Sequence, residues 1–269
     1  TLGRTTEFTT SMHPLTLSSG DVVRVHLIPG AGLPIVFLHG LGCASSCDYP
    51  TVVSASPLQG RSVVLIDLLG FGFSDKPPNF EYSVDSHASV VCEVMAGLNL
   101  QQVDLYGHSM GGSIAIVVAT LQQKRIRSLV LSEPNLVPGG GQFSRSIAAQ
   151  PELEYVESGH ARCVQDARHA GHHIWAGSMR VASPLAVHRG AASLVMGSNP
   201  SWRSQLVALR CKRTVLFGEA SLPDEDYSAL PNEGVQVASV PSAGHSMAWE
   251  NPTGLAAAIS NSLLGPSAA

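Results

Sequence analysis

Three stretches of this 269-residue chain combine residue types that could share one reaction. The first is Gly107-His108-Ser109-Met110-Gly111, with Gly112 following. A hydroxyl is a weak nucleophile near neutral pH and needs an adjacent base. It must also be presented clear of its surroundings. A serine with glycines at minus two and plus two, after an apolar run at 103–106 and before a helical pattern rich in Ala, Ile and Val, meets the second need. Such a turn is too sharp for larger neighbours, its strain lifts the hydroxyl off the strand, and the helix N-terminus favours a developing negative charge. Against this stands a glycine-rich turn with an idle serine, which the strand-turn-helix setting disfavours. The second stretch is Ala243-Gly244-His245-Ser246, after the last expected strand and before the last expected helix. Of eleven histidines, His245 has the placement of a general base for Ser109. The third is His39-Gly40-Leu41-Gly42. The backbone N–H groups of Leu41 and Met110 are expected to hold a carbonyl oxygen as it becomes negative. His39 is expected to orient that loop by hydrogen bonding.

These residues need a scaffold that brings loops to one edge. Residues 22–28 alternate loosely and read as a strand, and apolar, β-branched runs occur at 34–38, 62–66, 103–106, 126–131, 213–217 and 235–240. Runs without polar alternation suit strands covered on both faces, as in a parallel sheet. Helical patterns lie between them, clearest at 83–98 and 111–123, and the last begins at Asn251-Pro252 and ends near Leu264. Repeated strand and helix argue for an α/β, doubly wound, mostly parallel sheet. From Pro138 to Trp202 no strand is expected. The segment opens on Gly139-Gly140-Gly141 and reads as a helical insertion, a cap, after the strand that follows the serine's helix. The expected division is a core of residues 1–137 and 203–269 and a cap of 138–202. The closing residues 265–269 are expected to fray.

The chain resembles the α/β-hydrolase superfamily, in its lid-bearing branch of esterases, lactonases and carbon–carbon hydrolases. The resemblance rests on pieces in order: His39 to Gly42, Asp67-Leu68-Leu69-Gly70-Phe71-Gly72-Phe73-Ser74, Gly107 to Gly111, and Gly244-His245 followed by Glu250-Asn251-Pro252. It implies a Ser-acid-His triad. Here the chain departs from the family's commonest pattern: three residues past Gly218, where an Asp is usual, stands Ser221. A hydroxyl cannot stabilise an imidazolium as a carboxylate does. Some members carry the acid after the strand that follows the serine's helix, which here is Glu133, in Ser132-Glu133-Pro134. Glu133 is therefore the expected acid, with Asp224 as runner-up and Glu219 and Asp226 behind it. The Asp67–Ser74 stretch is expected to support a loop rather than perform chemistry. Gly40, His108, Trp175 and Met247 are expected to contact substrate, and Met179, Met196 and Trp202 either line an apolar pocket or pack the cap.

Composition narrows the partners. A net charge of −4 and no Lys/Arg-rich run argue against nucleic acid and anionic membranes. Five scattered cysteines do not suggest a disulfide framework, and Cys43 and Cys47 lack a second ligand pair at zinc spacing. His172-His173 in the cap has no Asp, Glu or Cys at ligand spacing. No metal or organic cofactor is expected. The first residues lack a signal peptide's apolar core and no stretch reaches bilayer length, so a cytoplasmic protein is the default. The expected function is hydrolysis of a small-molecule carboxylic ester or lactone through an acyl-enzyme. The alternatives are carbon–carbon hydrolysis with the same triad and a ligand-binding receptor on the same fold. A serine nucleophile speaks against dehalogenase and epoxide hydrolase chemistry, which uses an Asp there. A homodimer stays open.

Overall fold

The computed structural model describes residues 11–264. The expected frayed end, 265–269, and most of the N-terminal stretch read for a signal peptide lie outside them. The chain enters through β1 (Ser11–Thr16), β2 (Val22–Ile28), β3 (Ala31–Leu38) and β4 (Arg61–Asp67), then alternates α1 (Val84–Gly97), β5 (Val103–His108), α2 (Met110–Leu121) and β6 (Ile126–Ser132). Next come α3 (Gln142–Ala148), α4 (His160–His169), α5 (His173–Val181), α6 (Pro184–Met196) and α7 (Trp202–Ala208), with no strand among them. The sheet resumes with β7 (Lys212–Gly218) and β8 (Gln236–Val240), and α8 (Pro252–Leu263) follows. The eight strands form one sheet in the order β1-β2-β4-β3-β5-β6-β7-β8. β2 is antiparallel to β1 and β4, and β3 through β8 run parallel.

The continuous apolar runs follow from burial on both sheet faces. In β3, Val36 and Leu38 join the core beneath α1 and α2, while Ile35 and Phe37 join the core beneath α8. Fully burying each such side chain contributes about 1.5–3 kcal/mol, so the two-sided pattern also fixes register. Helix starts are set locally. The Ser83 hydroxyl accepts from Ser86 N at 3.1 Å before α1, and Asn251 Oδ1 accepts from Gly254 N at 2.8 Å before α8, whose first residue is Pro252.

β1 carries no strand signal in the sequence, because Pro14 interrupts it and its burial alternates between half-buried and exposed. Both features suit the sheet edge it occupies, where a missing donor can face solvent. Downstream of β6, α3 packs on α6 and α4 on α5, while α7 packs on α2. The expected boundary between residues 202 and 203 thus falls in the first turn of a helix that contacts the sheet's own layer.

One buried charge braces the strands that carry the site. Asp104 of β5 is fully buried and accepts from Arg127 of β6 through Nε, at 2.8 Å, and through Nη2, with Arg61 at 3.6 Å. Removing one partner of a buried pair leaves an under-compensated charge. Arg127→Ala should therefore cost about 2 kcal/mol of unfolding free energy, less than a fully orphaned charge because Arg61 remains. Urea unfolding checks this, and an unshifted midpoint would mean that the pair carries no net stability.

Candidate active site

The serine sits where sterics leave it one conformation. Ser109 has φ 50 and ψ −119, an unusual backbone for a residue with a side chain. It links β5 to α2, its N–H donates to Ser132 O at 2.9 Å, and its carbonyl accepts from Gly112 N at 2.8 Å. The glycines are required by close approach. A Cβ at 107 would lie 2.3 Å from Gly111 O, and one at 111 would lie 2.5 Å from Leu38 O. Glu133 begins the parallel arrangement one strand over, also at positive φ, 40. The β5–β6 register pairs His108 with Ser132, so Ser109 and Glu133 are the first residues past matched strand ends.

Glu133 is the acid that meets the histidine. His245 Nδ1 donates to Glu133 Oε2 at 2.6 Å, and Gly218 N donates to Oε1 at 2.9 Å. An N–H at Nδ1 leaves Nε2 with its lone pair. Burial pushes the Glu133 carboxyl up, but hydrogen bonds and charge from His245, with donors from Gly218 and Ser221, hold it below the ordinary glutamate value of 4.5. The rival acids are occupied elsewhere. Asp224 accepts from Asp226 N at 2.7 Å and Tyr227 N at 3.2 Å as a helix cap, Glu219 accepts from Ser242 N at 2.9 Å, and Asp226 pairs with Arg203. The His245 loop is held by Glu250 Oε2, which accepts from Gly244 N at 2.6 Å.

Ser109, His245 and Glu133 line one cavity of about 480 Å³. Among the described residues no hydrogen bond joins the Ser109 hydroxyl to the ring, a looseness common to such pairs without substrate. At the cavity's other side lies the loop after β3. His39 Nδ1 donates to Gly40 O at 2.8 Å and its Nε2 accepts from Leu68 N at 3.1 Å. Burial lowers its pKa, so the ring is a neutral brace. Asp67 accepts from Ser46 N at 2.9 Å, Ser46 Oγ at 2.7 Å and Phe73 N at 3.0 Å, tying the 72–74 turn to the segment after that loop. Met110 N heads α2, where no intrahelical acceptor exists, and among the described residues neither it nor Leu41 N takes an acceptor elsewhere.

The cavity includes three of the four expected contact residues, Gly40, His108 and Trp175. His108 is neutral, with a pKa lowered to about 3 by burial and then by the nearby His245, and its Nδ1 faces Ser132 O at 3.2 Å. The expectation for Met247 needs correction. It is buried in the core cluster with Val240 and Leu255, because the turn after His245 points it down onto the sheet, and Ser246 and Trp249 line the cavity instead. Nor do its suggested companions line it. Met179 packs against Gly42, Met196 is exposed, and Trp202 is buried in the core. Sequence reasoning missed Trp249, Phe143 and Asn135. Trp249 lies in the short helix Met247–Glu250 just past His245, and no residue pattern in the sequence marks it as facing the cavity. Among the described residues no group of His, Cys, Asp and Glu could hold a metal ion.

A sheet of this order with a strained serine between strand and helix defines the class. The arrangement is the α/β-hydrolase fold, one mostly parallel eight-stranded sheet flanked by helices. A family model described as the alpha/beta hydrolase fold matches residues 34–155. Among sequence relatives, 2-hydroxymuconate semialdehyde hydrolase of Pseudomonas putida is 36% identical over 115 residues, 43% of this chain and 41% of that protein, so the chain spans about two fifths of its length. Among solved structures, a thermophilic esterase from Thermogutta terrifontis superposes with a TM-score of 0.73 at 22% identity, covering 93% of this chain and 97% of that one. The enol-lactonase of Burkholderia xenovorans LB400 gives 0.75 at 14%, covering 93% and 99%. At such identities these structures speak for the fold alone. No helix among the described residues is long and apolar enough to cross a membrane.

The lowered pKa of Glu133 has a stability consequence. A carboxyl depressed by folding contributes stability that is complete above its unfolded value and is lost as the pH falls through the folded one. The destabilisation caused by Glu133→Gln should thus be largest at neutral pH and shrink below the unfolded value of about 4.5. Denaturant titrations of both proteins at several pH values check this, and a difference that grows on acidification contradicts it.

Proposed function

We propose that this chain hydrolyses an uncharged carboxylic ester or lactone through an acyl-enzyme, with Ser109 as nucleophile, His245 as general base and Glu133 as triad acid. The observation that carries the reading is the 2.6 Å hydrogen bond from His245 Nδ1 to Glu133, in a cavity shared with a serine at φ 50. His245 Nε2 takes the Ser109 proton as Oγ adds to the carbonyl carbon. The amides of Leu41 and Met110 receive the oxyanion. The tetrahedral adduct collapses, the alcohol departs with the proton from His245, and water repeats the sequence to release the acid. Glu133 holds the tautomer and stabilises the imidazolium. The helices of the insertion act as the cap that shelters these steps from water.

The cavity's charge favours the ester or lactone over the carbon–carbon reading. Its described lining contains Glu133 and Glu250 but no Lys or Arg. Muconate, in the name of the Pseudomonas relative, is a carboxylate. A carboxylate drawn into this cavity would meet acids without a counter-cation, and burying an unpaired charge is costly. Leu41, Phe143, Trp175, Leu194 and Trp249 give apolar area for an acyl chain or ring.

Ser109→Ala should lower kcat on p-nitrophenyl butyrate by roughly 10⁶-fold, and Glu133→Gln by roughly 10⁴-fold, while Asp224→Asn stays near wild type. Turnover on a panel of neutral esters and lactones, beside carboxylate-bearing dienoates, tests the substrate class. Retained turnover in Ser109→Ala, or a preference for the dienoates, would overturn the reading.

A further inference from the structure

The groups that would hold the oxyanion belong to the sheet's loops, yet their nearest supports come from the inserted helices. Trp175 of α5 donates its indole N–H to the Leu41 carbonyl at 2.9 Å, across 134 residues of chain. Gly42 makes that approach feasible. It lies at φ +72, and a Cβ there would stand 2.9 Å from Trp175 Nε1 and 2.2 Å from Met179 Sδ. A second contact comes from α6. A Cβ at Gly190 would lie 3.0 Å from Leu41 Cδ1 and 3.2 Å from Met110 Sδ, so one point of that helix rests on the side chains of both donor residues. Trp175 is itself held: the Phe143 ring is 4.7 Å away, and the end of α5 is tied by His160, whose Nε2 donates to Met179 O at 2.9 Å while Nδ1 accepts from Tyr155 OH at 3.1 Å.

We propose that Trp175 and Gly190 are positioning residues for the oxyanion hole, so that the Leu41 and Met110 amides reach catalytic geometry only with the cap seated. This rests on the acyl-transfer reading above. Residue 41 is then fixed at three points. Its side chain lies beneath α6, its carbonyl is bonded to α5, and its N–H is left aimed by the turn that Cys43 N closes onto Gly40 O at 3.2 Å. An amide that need not reorganise when charge appears stabilises the transition state more than the ground state. Loss of the indole donor therefore acts on kcat more than on KM.

The test uses the full chain and two ligands. An alkyl trifluoromethyl ketone accepts Ser109 Oγ at its carbonyl carbon, passes the serine proton to His245, and leaves an oxyanion in the hole. The matching methyl ketone binds without forming that adduct to a significant extent. Trp175→Phe keeps a ring and loses the donor. It should lower kcat on p-nitrophenyl butyrate about 10-fold with KM nearly unchanged, and weaken the trifluoromethyl ketone, not the methyl ketone, by a similar factor. Gly190→Ala changes no residue of the cavity lining, and should reproduce the same split at about threefold. Near-ultraviolet circular dichroism establishes that each variant is folded. Unchanged kcat and trifluoromethyl ketone affinity in both variants, or a rise in KM alone, overturns the proposal while leaving the triad in place. Absence of fluorophosphonate labelling at wild-type Ser109 would instead remove the acyl-transfer reading, and this inference with it.

Discussion

The hydrogen bond between Glu133 and His245 is the constraint around which the site is arranged. It joins residues 112 positions apart and is satisfied only if three strand ends finish level. The parallel registers accomplish this. His108 on β5 faces Ser132 on β6, and Ser132 faces Leu216 on β7, so the serine, the carboxylate and Gly218 emerge together. Glu133 N donates to Leu216 O at 3.0 Å and Gly218 N returns a bond to the carboxylate, which locks the acid against the next strand before it meets the imidazole. Ser109 and Glu133 both hold positive φ, each at an expected cost of about 1–3 kcal/mol. Such strain persists only where surrounding structure dictates it, and here the sheet does so at two adjacent positions.

Burial then keeps three nearby imidazoles neutral. Burial lowers the pKa of His39, and burial followed by the neighbouring imidazole takes His87 and His108 to about 3. These rings stay neutral at the pH where a base must cycle its proton. His108 matters most, since its ring centroid lies 4.7 Å from that of His245. A charged neighbour at that distance would oppose the imidazolium that the proposed mechanism forms, whereas a neutral one does not. The negative carboxylate of Glu133 is left as the charge nearest to the proton being moved.

The extent to which this was legible in the sequence follows from which forces are local. Strands with both faces covered announce themselves as unbroken apolar runs, and the glycines around Ser109 announce a turn that admits nothing larger. Hence seven strands, the flanking helices and Ser109 could be expected from the chain itself, His245 from its place after the last strand, and Glu133 only from the family resemblance, and the structure brings those three into one cavity. β1 could not be read, because an edge strand with Pro14 has neither a two-sided core nor a full ladder to leave its mark. Met247 misled for a related reason: proximity in sequence to His245 says nothing about which way a short turn aims. Phe143, Asn135 and Trp249 come from separate segments, the inserted helices and two connections past strand ends, and only the tertiary packing makes neighbours of them.

The proposed acid, Glu133, stands one strand away from the family's commonest position. The position three past Gly218, where the family commonly has an Asp, holds Ser221, and a carboxylate one strand over reaches the same ring nitrogen. Neighbouring strands lie about 4.8 Å apart. An acid moved from the end of β7 to the end of β6 must make up part of that distance, and two features do so. A Glu is one methylene longer than the Asp it would replace, and the positive φ at 133 turns the residue back toward β7, where Gly218 N receives it. Ser221 then has a use as a donor, for its hydroxyl is among the groups that keep the Glu133 carboxyl ionised. A carboxylate needs donors on the oxygens it does not give to histidine, and the vacated acid position supplies one. In the proposed triad the charge has moved by one strand while the imidazole it serves has stayed where the sheet delivers it.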